Sequence, residues 1–264
     1  MRKIFTLLCS VVFAAQYSLV SAQTTTMMIW KGGSVTAAYN TADVDSVTFL
    51  SCAESEKQDL GGGVYLINGH KFVDLGLPSG LLWAATNIGA KTAADDGNYY
   101  AWGETEPHSS NTYGWPSYKY GTSYSNMTKY NKTDNKTTLD KEDDAAYVNW
   151  GTSCRMPTKD EFGELLNSEN CTWTWTSMTT SSDSSIRGYK VTSVTNGNYI
   201  FLPASGYRDN GYLKNHGSLG DYWSSTLNSV NSYGASYLHI FSGSYYQLND
   251  YRFYGLTVRP VAEK

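Results

Sequence analysis

The main domain opens at residues 64–73 with the stretch VYLINGHKFV, in which two apolar segments flank an Asn-Gly dipeptide. Asn68-Gly69 favours the positive φ angles of a two-residue turn, so this stretch predicts a tight β-hairpin. A second hairpin is predicted where Tyr189–Val194 and Tyr199–Leu202 are joined across a four-residue turn containing Asn and Gly. These segments indicate a domain built largely from short antiparallel strands.

Two helices are also predicted in the main domain. Asp140 precedes residues 141–148 and can cap their first amides, and the acids Glu142-Asp143-Asp144 indicate a favourable helix start rather than a metal site. Thr158–Glu161 forms a capping box behind Pro157, followed by an apolar stripe that predicts a second helix. Residues 104–136 are polar, Tyr-rich and without a period, which predicts a long surface loop. The predicted class is α+β, with few helices, short antiparallel strands and long loops.

The region before the main domain divides into three predicted parts. Residues 1–22 show a basic start, an apolar run and the small-residue site Val20-Ser21-Ala22, which is typical of an exported chain's signal peptide. Residues 23–50 predict a short β unit, and residues 51–63, polar and ending in three glycines, predict a linker. The main domain is then expected over residues 64–264. No window after the signal is long and apolar enough to predict a membrane-spanning helix.

Charge and cysteine content narrow the possible partners. Loss of the signal peptide would remove Arg2 and Lys3 and leave 18 basic against 24 acidic residues, which disfavours nucleic acid and anionic membranes as partners. Three cysteines would remain, and an odd number does not make a disulfide framework. A bridge between Cys154 and Cys171, which flank the second predicted helix, is left open.

Motifs for common catalytic chemistry are missing from the sequence. The four histidines, His70, His108, His216 and His239, include no pair at metal-ligand spacing, so no metal site is predicted. There is no nucleophile elbow, phosphate-binding glycine loop or paired CxxC, and no cofactor is predicted. Acidic residues such as Glu104, Glu106 and Asp209 leave a glycosidase pair as a minor alternative.

The segment from Tyr222 to Tyr254 holds seven of the 22 tyrosines, interleaved with Ser, Asn and Gly. Tyrosine offers a large, rigid contact at low entropy cost while Ser and Asn adapt their hydrogen bonds, so this mixture is typical of a binding surface. Alternation along residues 237–241 predicts Leu238 and Ile240 toward the core, with the intervening residues on the opposite face. The alternative is that these aromatic side chains fill a core poor in aliphatic residues.

Several motifs in one order carry a family resemblance. They are FVDLGLPSGLLWA at residues 72–84, YAWGET at 100–105, RMPT at 155–158, LPASGYR at 202–208, YWSS at 222–225 and VRPV at 258–261. With these motifs, residues 64–262 resemble the Fibrobacter major paralogous domain family of Bacteroides-type bacteria. The resemblance implies a C-type lectin-like fold, similar to the formylglycine-generating enzyme group and to the variable proteins of diversity-generating retroelements.

In those variable proteins, selected positions of the C-terminal segment are diversified to change ligand specificity on a fixed scaffold. The resemblance assigns scaffold roles to Trp223, Leu238, Ile240, Gly243, Gly255 and Val258. It assigns ligand-binding roles to Tyr237, His239, Phe241, Ser244, Tyr246, Leu248, Asn249, Asp250, Tyr251, Phe253 and Tyr254. The calcium-and-sugar triplets of true C-type lectins and the paired cysteines of formylglycine-generating enzymes are missing, so neither calcium-dependent sugar binding nor catalysis is implied.

The sequence therefore predicts an exported, non-enzymatic module that binds a protein or a glycan through its Tyr-rich C-terminal surface. A structural or adhesive cell-surface component is the first alternative, and it predicts that loss of Tyr246, Tyr251 and Tyr254 leaves cell attachment unchanged. An enzyme is the second alternative, and it predicts a cluster of titratable groups with shifted pKa values in one pocket. The four residues Trp83, Trp102, Trp150 and Trp223 are predicted core anchors, and structural ion pairing is predicted for Arg208 and Arg259.

Overall fold

The computed structural model describes residues 3–7, 26–31, 34–40, 44–49, 57–108 and 112–264. The chain divides into two compact units, Met1–Ser55 and Glu56–Lys264. In the first unit, the strands are β1 Lys3–Leu7, β2 Thr26–Lys31, β3 Ser34–Asn40 and β4 Val44–Phe49. Strands β2 and β3 pair antiparallel, and β1 pairs parallel with β4. The predicted cleavage site after residue 22 and Cys52 lie outside the described residues.

The second unit contains three main antiparallel sheets and two α-helices. Its first strands are β5 Lys57–Gly61, β6 Val64–Ile67, β7 His70–Asp74, β8 Leu82–Ala84, β9 Gly121–Ser123 and β10 Asn126–Met127. The central elements are α1 Ala145–Trp150, β11 Cys154–Arg155, α2 Lys159–Leu166, β12 Cys171–Thr179, β13 Ser185–Ser193 and β14 Tyr199–Pro203. The last strands are β15 Tyr207–Asp209, β16 Tyr212–Lys214, β17 Leu219–Leu227, β18 Gly234–Phe241, β19 Ser244–Tyr251 and β20 Val261–Ala262.

The strand order follows the predicted hairpins and extends them. One sheet has the order β11-β20-β8-β7-β6-β5, and two three-stranded sheets have the orders β12-β13-β14 and β17-β18-β19. Asn68 and Gly69 connect β6 to β7 with φ angles of 51° and 81°, as the two-residue turn requires. The second predicted hairpin is formed by β13 and β14. A mainly antiparallel β domain with two α-helices is therefore observed.

The predicted linker is not wholly a connecting segment. Strand β5 occupies Lys57–Gly61 and pairs with β6, so the glycines that follow it form the turn of a hairpin. Gly62 and Gly63 have φ angles of 63° and 77°, a conformation that glycine adopts without a steric penalty. The run of glycines is thus explained by turn geometry rather than by flexibility.

The start of the first helix differs from the prediction. Lys141–Asp143 is a single 3₁₀ turn, and Asp140 makes no side-chain cap there. Helix α1 begins later and is capped by Asp144, whose carboxylate accepts from the amides of Ala146 and Tyr147. Asp144, the third acid of the run, is therefore the capping residue. Asp143, the second, is buried and accepts hydrogen bonds from tyrosine hydroxyls.

The predicted surface loop at residues 104–136 is wrong in one respect, because several of its tyrosines are buried. Tyr118 donates to the carbonyl oxygen of Trp102 at 2.8 Å, and the hydroxyls of Tyr120 and Tyr130 both donate to the buried carboxylate of Asp143. A tyrosine can enter a core when its hydroxyl finds an acceptor, which these contacts supply. These tyrosines join the domain core, while most of the described residues between Gly121 and Lys136 are exposed or half-buried.

The sheet β17-β18-β19 lies between two core clusters. Trp223 and Tyr237 belong to a cluster rich in aromatic side chains, whereas Leu238 and Ile240 belong to a second, more aliphatic one with Phe162 of helix α2. The predicted core anchors Trp83, Trp102, Trp150 and Trp223 are all buried. The predicted capping box of helix α2 is confirmed, since Thr158 Oγ1 accepts from the Glu161 amide and Glu161 accepts from the Thr158 amide.

Two arginines are completely buried without a carboxylate partner among the described residues. Arg252 donates through its guanidinium to the Tyr118 hydroxyl and to several backbone carbonyl oxygens. Arg259 donates to Asn87 Oδ1 and to the carbonyl oxygens of two core strands. The predicted ion pairing of Arg259 is therefore wrong, because neutral oxygens solvate its charge. Arg208 lies over the ring of Tyr99 at 4.8 Å instead of pairing with an acid.

The two cysteines of the second unit are free thiols. Both Cys154 and Cys171 are buried and unbridged, so the open possibility of a disulfide between them is not realised. Burial raises the thiol pKa of Cys154 to about 12 and that of Cys171 to about 11, which keeps both protonated at neutral pH. Among the described helices, none has the length and apolar content needed to cross a bilayer.

Candidate ligand-binding face

The candidate site lies on one face of the sheet β17-β18-β19. His239 of β18 stands opposite Asp221 of β17 on one side and Tyr246 of β19 on the other. Residues directly opposite each other in an antiparallel ladder project to the same face. We call this the binding face, and it carries Leu219, Asp221, Trp223, Tyr237, His239, Phe241, Ser244, Tyr246, Leu248 and Asp250.

The opposite face of the same sheet is covered. Leu238 and Ile240 are fully buried in the cluster that contains Phe162 and Leu165 of helix α2. Tyr245 of β19 also points this way and stacks on Trp173 at 4.4 Å between ring centroids. The inward orientation predicted for Leu238 and Ile240 is confirmed. On the binding face, Trp223 and Tyr237 are buried in the aromatic cluster, whereas Tyr246 and Leu248 are exposed.

Aromatic rings form a continuous patch on the binding face. His239 lies 5.4 Å from both Phe241 and Tyr246, measured between ring centroids, and Phe241 lies 6.1 Å from Tyr246. Tyr246 is 39% exposed and Leu248 is 38% exposed, so much of this patch meets solvent. An exposed group of aromatic and aliphatic side chains is typical of an interaction surface.

A pocket of about 190 Å³ opens on this face between β17, β18 and the chain around residues 207 and 254. Asp221 is 5% exposed, and its Oδ1 lies 2.6 Å from His239 Nδ1. Asp250 lines the pocket and accepts the amide hydrogen of Tyr251 at 2.7 Å. The complete lining is Tyr207, Asn215, Leu219, Asp221, Tyr237, His239, Asp250, Tyr254 and Leu256.

The electrostatics of the pocket are dominated by partly desolvated acids. Burial raises the pKa of Asp221, and its contact with His239 opposes this shift. Burial also raises the pKa of Asp250, against the effect of its amide partner and with a further contribution from the charge of Asp209. Burial together with the charges of Asp250 and Asp209 raises the pKa of Tyr254 to about 12, so its phenol stays protonated at neutral pH.

The structure brings together some of the predicted ligand-binding residues and separates others. Phe253 does not fit a contact role, because it is buried and packs against Trp115 at 4.8 Å between ring centroids. Asn249 lies on the opposite face of β19, where its side chain accepts from Ser236 at 2.6 Å. Tyr251 is half-exposed beyond the end of the binding face and stacks on Phe253. The residues that share the binding face or line its pocket are Tyr237, His239, Phe241, Ser244, Tyr246, Leu248, Asp250 and Tyr254.

Sequence reasoning missed the part of the pocket that comes from outside the Tyr-rich segment. Asp221 is the most important omission, because it is the hydrogen-bond partner of His239. Alternation could have indicated it, since Asp221 is two residues before Trp223 in the same strand and must share its face. Tyr207 of strand β15 and Leu256, which follows β19, also line the pocket, and no local pattern in the sequence indicates their position there.

Three clustered carboxylates outside the binding face have the arrangement of a cation site, but a lysine ammonium group already contacts all three. Within the part of the chain that the structure describes, the carboxylates of Asp140, Glu142 and Asp143 converge closely. The ammonium nitrogen of Lys129 lies 2.8 Å from Asp140, 3.5 Å from Glu142 and 2.5 Å from Asp143. Lys129 therefore supplies positive charge to all three acids, and Lys136 beside Asp140 and Lys119 beside Asp143 add to it.

Comparisons of this chain with protein-family models, with curated proteins and with solved structures found no match. The binding face is therefore the main source of information on function.

Proposed function

We propose that this protein is a non-enzymatic, exported binding module that recognises a protein or glycan ligand through the binding face. One observation carries the proposal. The exposed aromatic patch around Tyr246 adjoins a pocket that is lined by a hydrogen-bonded pair, the buried Asp221 and the partly buried His239. Apolar contact area beside a few fixed polar groups is the arrangement that ligand sites use for affinity and orientation.

We also propose a fold and a family for the second unit. A C-type lectin-like domain over the second unit, of the Fibrobacter major paralogous type, agrees with two helices, short antiparallel strands and long connections. A surface whose side chains vary needs a rigid support. Here Leu238 and Ile240 anchor β18 from the covered face, while Tyr246 and Leu248 remain exposed. Trp223 and Val258, assigned to the scaffold, are both completely buried.

The experiment is a screen of the full chain on glycan and protein arrays, run beside a Tyr246→Ser, Tyr251→Ser, Tyr254→Ser variant. Tyr246 lies on the binding face, Tyr254 lines its pocket, and Tyr251 lies 6.1 Å from Tyr254 between ring centroids. The matched control replaces three exposed tyrosines elsewhere: Tyr124→Ser, Tyr199→Ser and Tyr212→Ser. Saturable binding that is lost in the first variant and kept in the control supports the proposal. Binding that survives in the first variant, or is lost equally in both, refutes the binding face as the site. Cell attachment that is unchanged by the first variant favours a structural or adhesive component.

A specific observation favours catalysis as the second candidate. The pocket groups the buried Asp221 and the partly exposed Asp250 with His239 and three tyrosines, which is the kind of cluster that the enzyme hypothesis predicts. Among the described residues, His239 hydrogen-bonds to Asp221 and to no Ser, Thr or Cys hydroxyl or thiol, so a nucleophile activated by this imidazole is not in place. Hydrolysis of nitrophenyl esters or glycosides by the wild type, abolished by His239→Gln, would establish this second candidate.

A further inference from the structure

The pocket on the binding face combines negative charge with aromatic walls. Asp221 and Asp250 line it, and the charge of Asp209 acts on Asp250 and Tyr254 from nearby. No lysine or arginine is among its described lining residues. Tyrosine rings beside carboxylates form the environment that attracts a desolvated ammonium or guanidinium group.

Two basic side chains near the pocket, Arg208 and Lys214, lie against other aromatic rings and not against the pocket acids. Arg208 lies beside Tyr207 in strand β15, yet its guanidinium sits over the ring of Tyr99. Lys214 is paired with Tyr207 across the β15–β16 ladder, and its ammonium lies 5.1 Å from the centre of the Tyr212 ring. Asp250 accepts only the amide of the next residue among the described hydrogen bonds. Among the described residues, His239 is the one basic side chain in contact with an acid of this pocket, at Asp221, so the charge of Asp250 is left without a basic partner.

The size of the pocket limits its occupant to a small group. Its volume of about 190 Å³ is below the range of roughly 300–1,000 Å³ found for sites that enclose a whole small-molecule ligand. A single side chain can enter it while the rest of the ligand rests on Phe241, Tyr246 and Leu248. That exposed rim suits a polypeptide, because it offers apolar area around one charged anchor.

We propose that the pocket receives a lysine or arginine side chain of a polypeptide ligand. This inference rests on the proposed binding function and narrows it to a ligand class. The cation would contact the free carboxylate oxygen of Asp250 and the rings of Tyr207, Tyr237 and Tyr254. Asp221, held by His239, supplies a second acid in the lining of the pocket.

The test is an NMR titration of the isotope-labelled full chain with Nα-acetyl-arginine amide and with its neutral isostere, Nα-acetyl-citrulline amide. We expect the arginine compound to shift the Tyr237, Tyr254 and His239 signals, and the citrulline compound to bind at least about tenfold more weakly, because hydrogen bonds to charged groups are worth about 1.5–3 kcal/mol.

Two variants make the result specific. Asp250→Asn keeps the oxygen that accepts the Tyr251 amide but removes the charge, and it should weaken binding of the arginine compound about tenfold. Glu169→Gln, an exposed charge-matched control, should leave it within about twofold. Equal binding of the two compounds, no shift of pocket signals, or an unaffected Asp250→Asn variant would overturn the proposal. In each of those cases, array binding that still depends on Tyr246, Tyr251 and Tyr254 would leave the broader proposed function standing.

Discussion

Replacement of Arg252 by methionine should destabilise the second unit strongly. Arg252 is completely buried, and its guanidinium donates at 2.8 Å to the Tyr118 hydroxyl and at 3.1, 2.7 and 3.0 Å to the carbonyl oxygens of Tyr130, Ser232 and Lys129. These four acceptors belong to segments far from residue 252 in sequence. The arginine therefore holds the packed segment of residues 118–130 against the end of the binding-face sheet.

The expected loss follows from the acceptors that the variant leaves behind. Each buried acceptor without a donor costs about 1–3 kcal/mol, so four would cost at least about 4 kcal/mol. Removal of a buried charge recovers part of that cost, because its desolvation penalty disappears. We expect the free energy of unfolding to fall by about 3–5 kcal/mol, and the midpoint temperature to fall by roughly 6–20 °C.

The assay is urea unfolding followed by tryptophan fluorescence, since Trp102 lies 4.9 Å from the Arg252 guanidinium and reports on this region. Arg187→Met, at an exposed position of β13, is the control and should change the free energy of unfolding by no more than about 0.5 kcal/mol. Arg252→Lys should fall between the wild type and Arg252→Met, because lysine keeps the charge but not the planar set of donors. A loss below about 1 kcal/mol for Arg252→Met would refute this account.

Three other predictions test the described packing. Glu161 forms a bidentate pair with Arg155 at 2.7 and 2.8 Å, and although burial raises its pKa, this pair and the Thr158 amide lower it overall. Glu161→Gln should therefore cost about 1–2 kcal/mol at pH 7, and the difference from the wild type, measured by urea unfolding, should vanish as pH falls through the lowered pKa. Cys154 and Cys171 should resist alkylation by iodoacetamide at pH 8 and react in urea, as mass spectrometry can show. Gly206→Ala would place a Cβ 2.1 Å from a backbone carbonyl oxygen at a φ of 66°, and we expect a lowered midpoint temperature in a calorimetric scan.

Local sequence signals predicted a large part of the fold. Asn68-Gly69 and the capping box at Thr158–Glu161 act through residues close in the chain, so their turn and helix start are correctly predicted. Alternation likewise placed Leu238 and Ile240 toward the core. The start of helix α1 was misplaced, because Asp140, Asp143 and Asp144 can each cap a helix by residue type and only tertiary packing selects Asp144.

The remainder depends on contacts that no local pattern encodes. Tyr118 and Tyr130 are buried because Trp102 and Asp143, distant in sequence, provide acceptors for their hydroxyls. Tyrosine composition alone cannot distinguish such a ring from an exposed one. In the same way, the pairing of Asp221 with His239 arises from the register of two strands, so the tyrosine-rich segment predicted only one side of the pocket.

Strand β19 lies at one edge of its sheet, and the ladder that fixes its register runs to β18 alone. Those bonds join backbone atoms, so they persist when Ser244, Tyr246 or Leu248 is exchanged for another residue. The intervening Tyr245 is different, because its stack on Trp173 fastens the strand to the covered side. The segment thus interleaves two sets of residues, one on the binding face and one that fastens the strand to the covered side. Under the proposed binding function, exchanges at Ser244, Tyr246 and Leu248 would alter the ligand, whereas exchange of Tyr245 would weaken the fold.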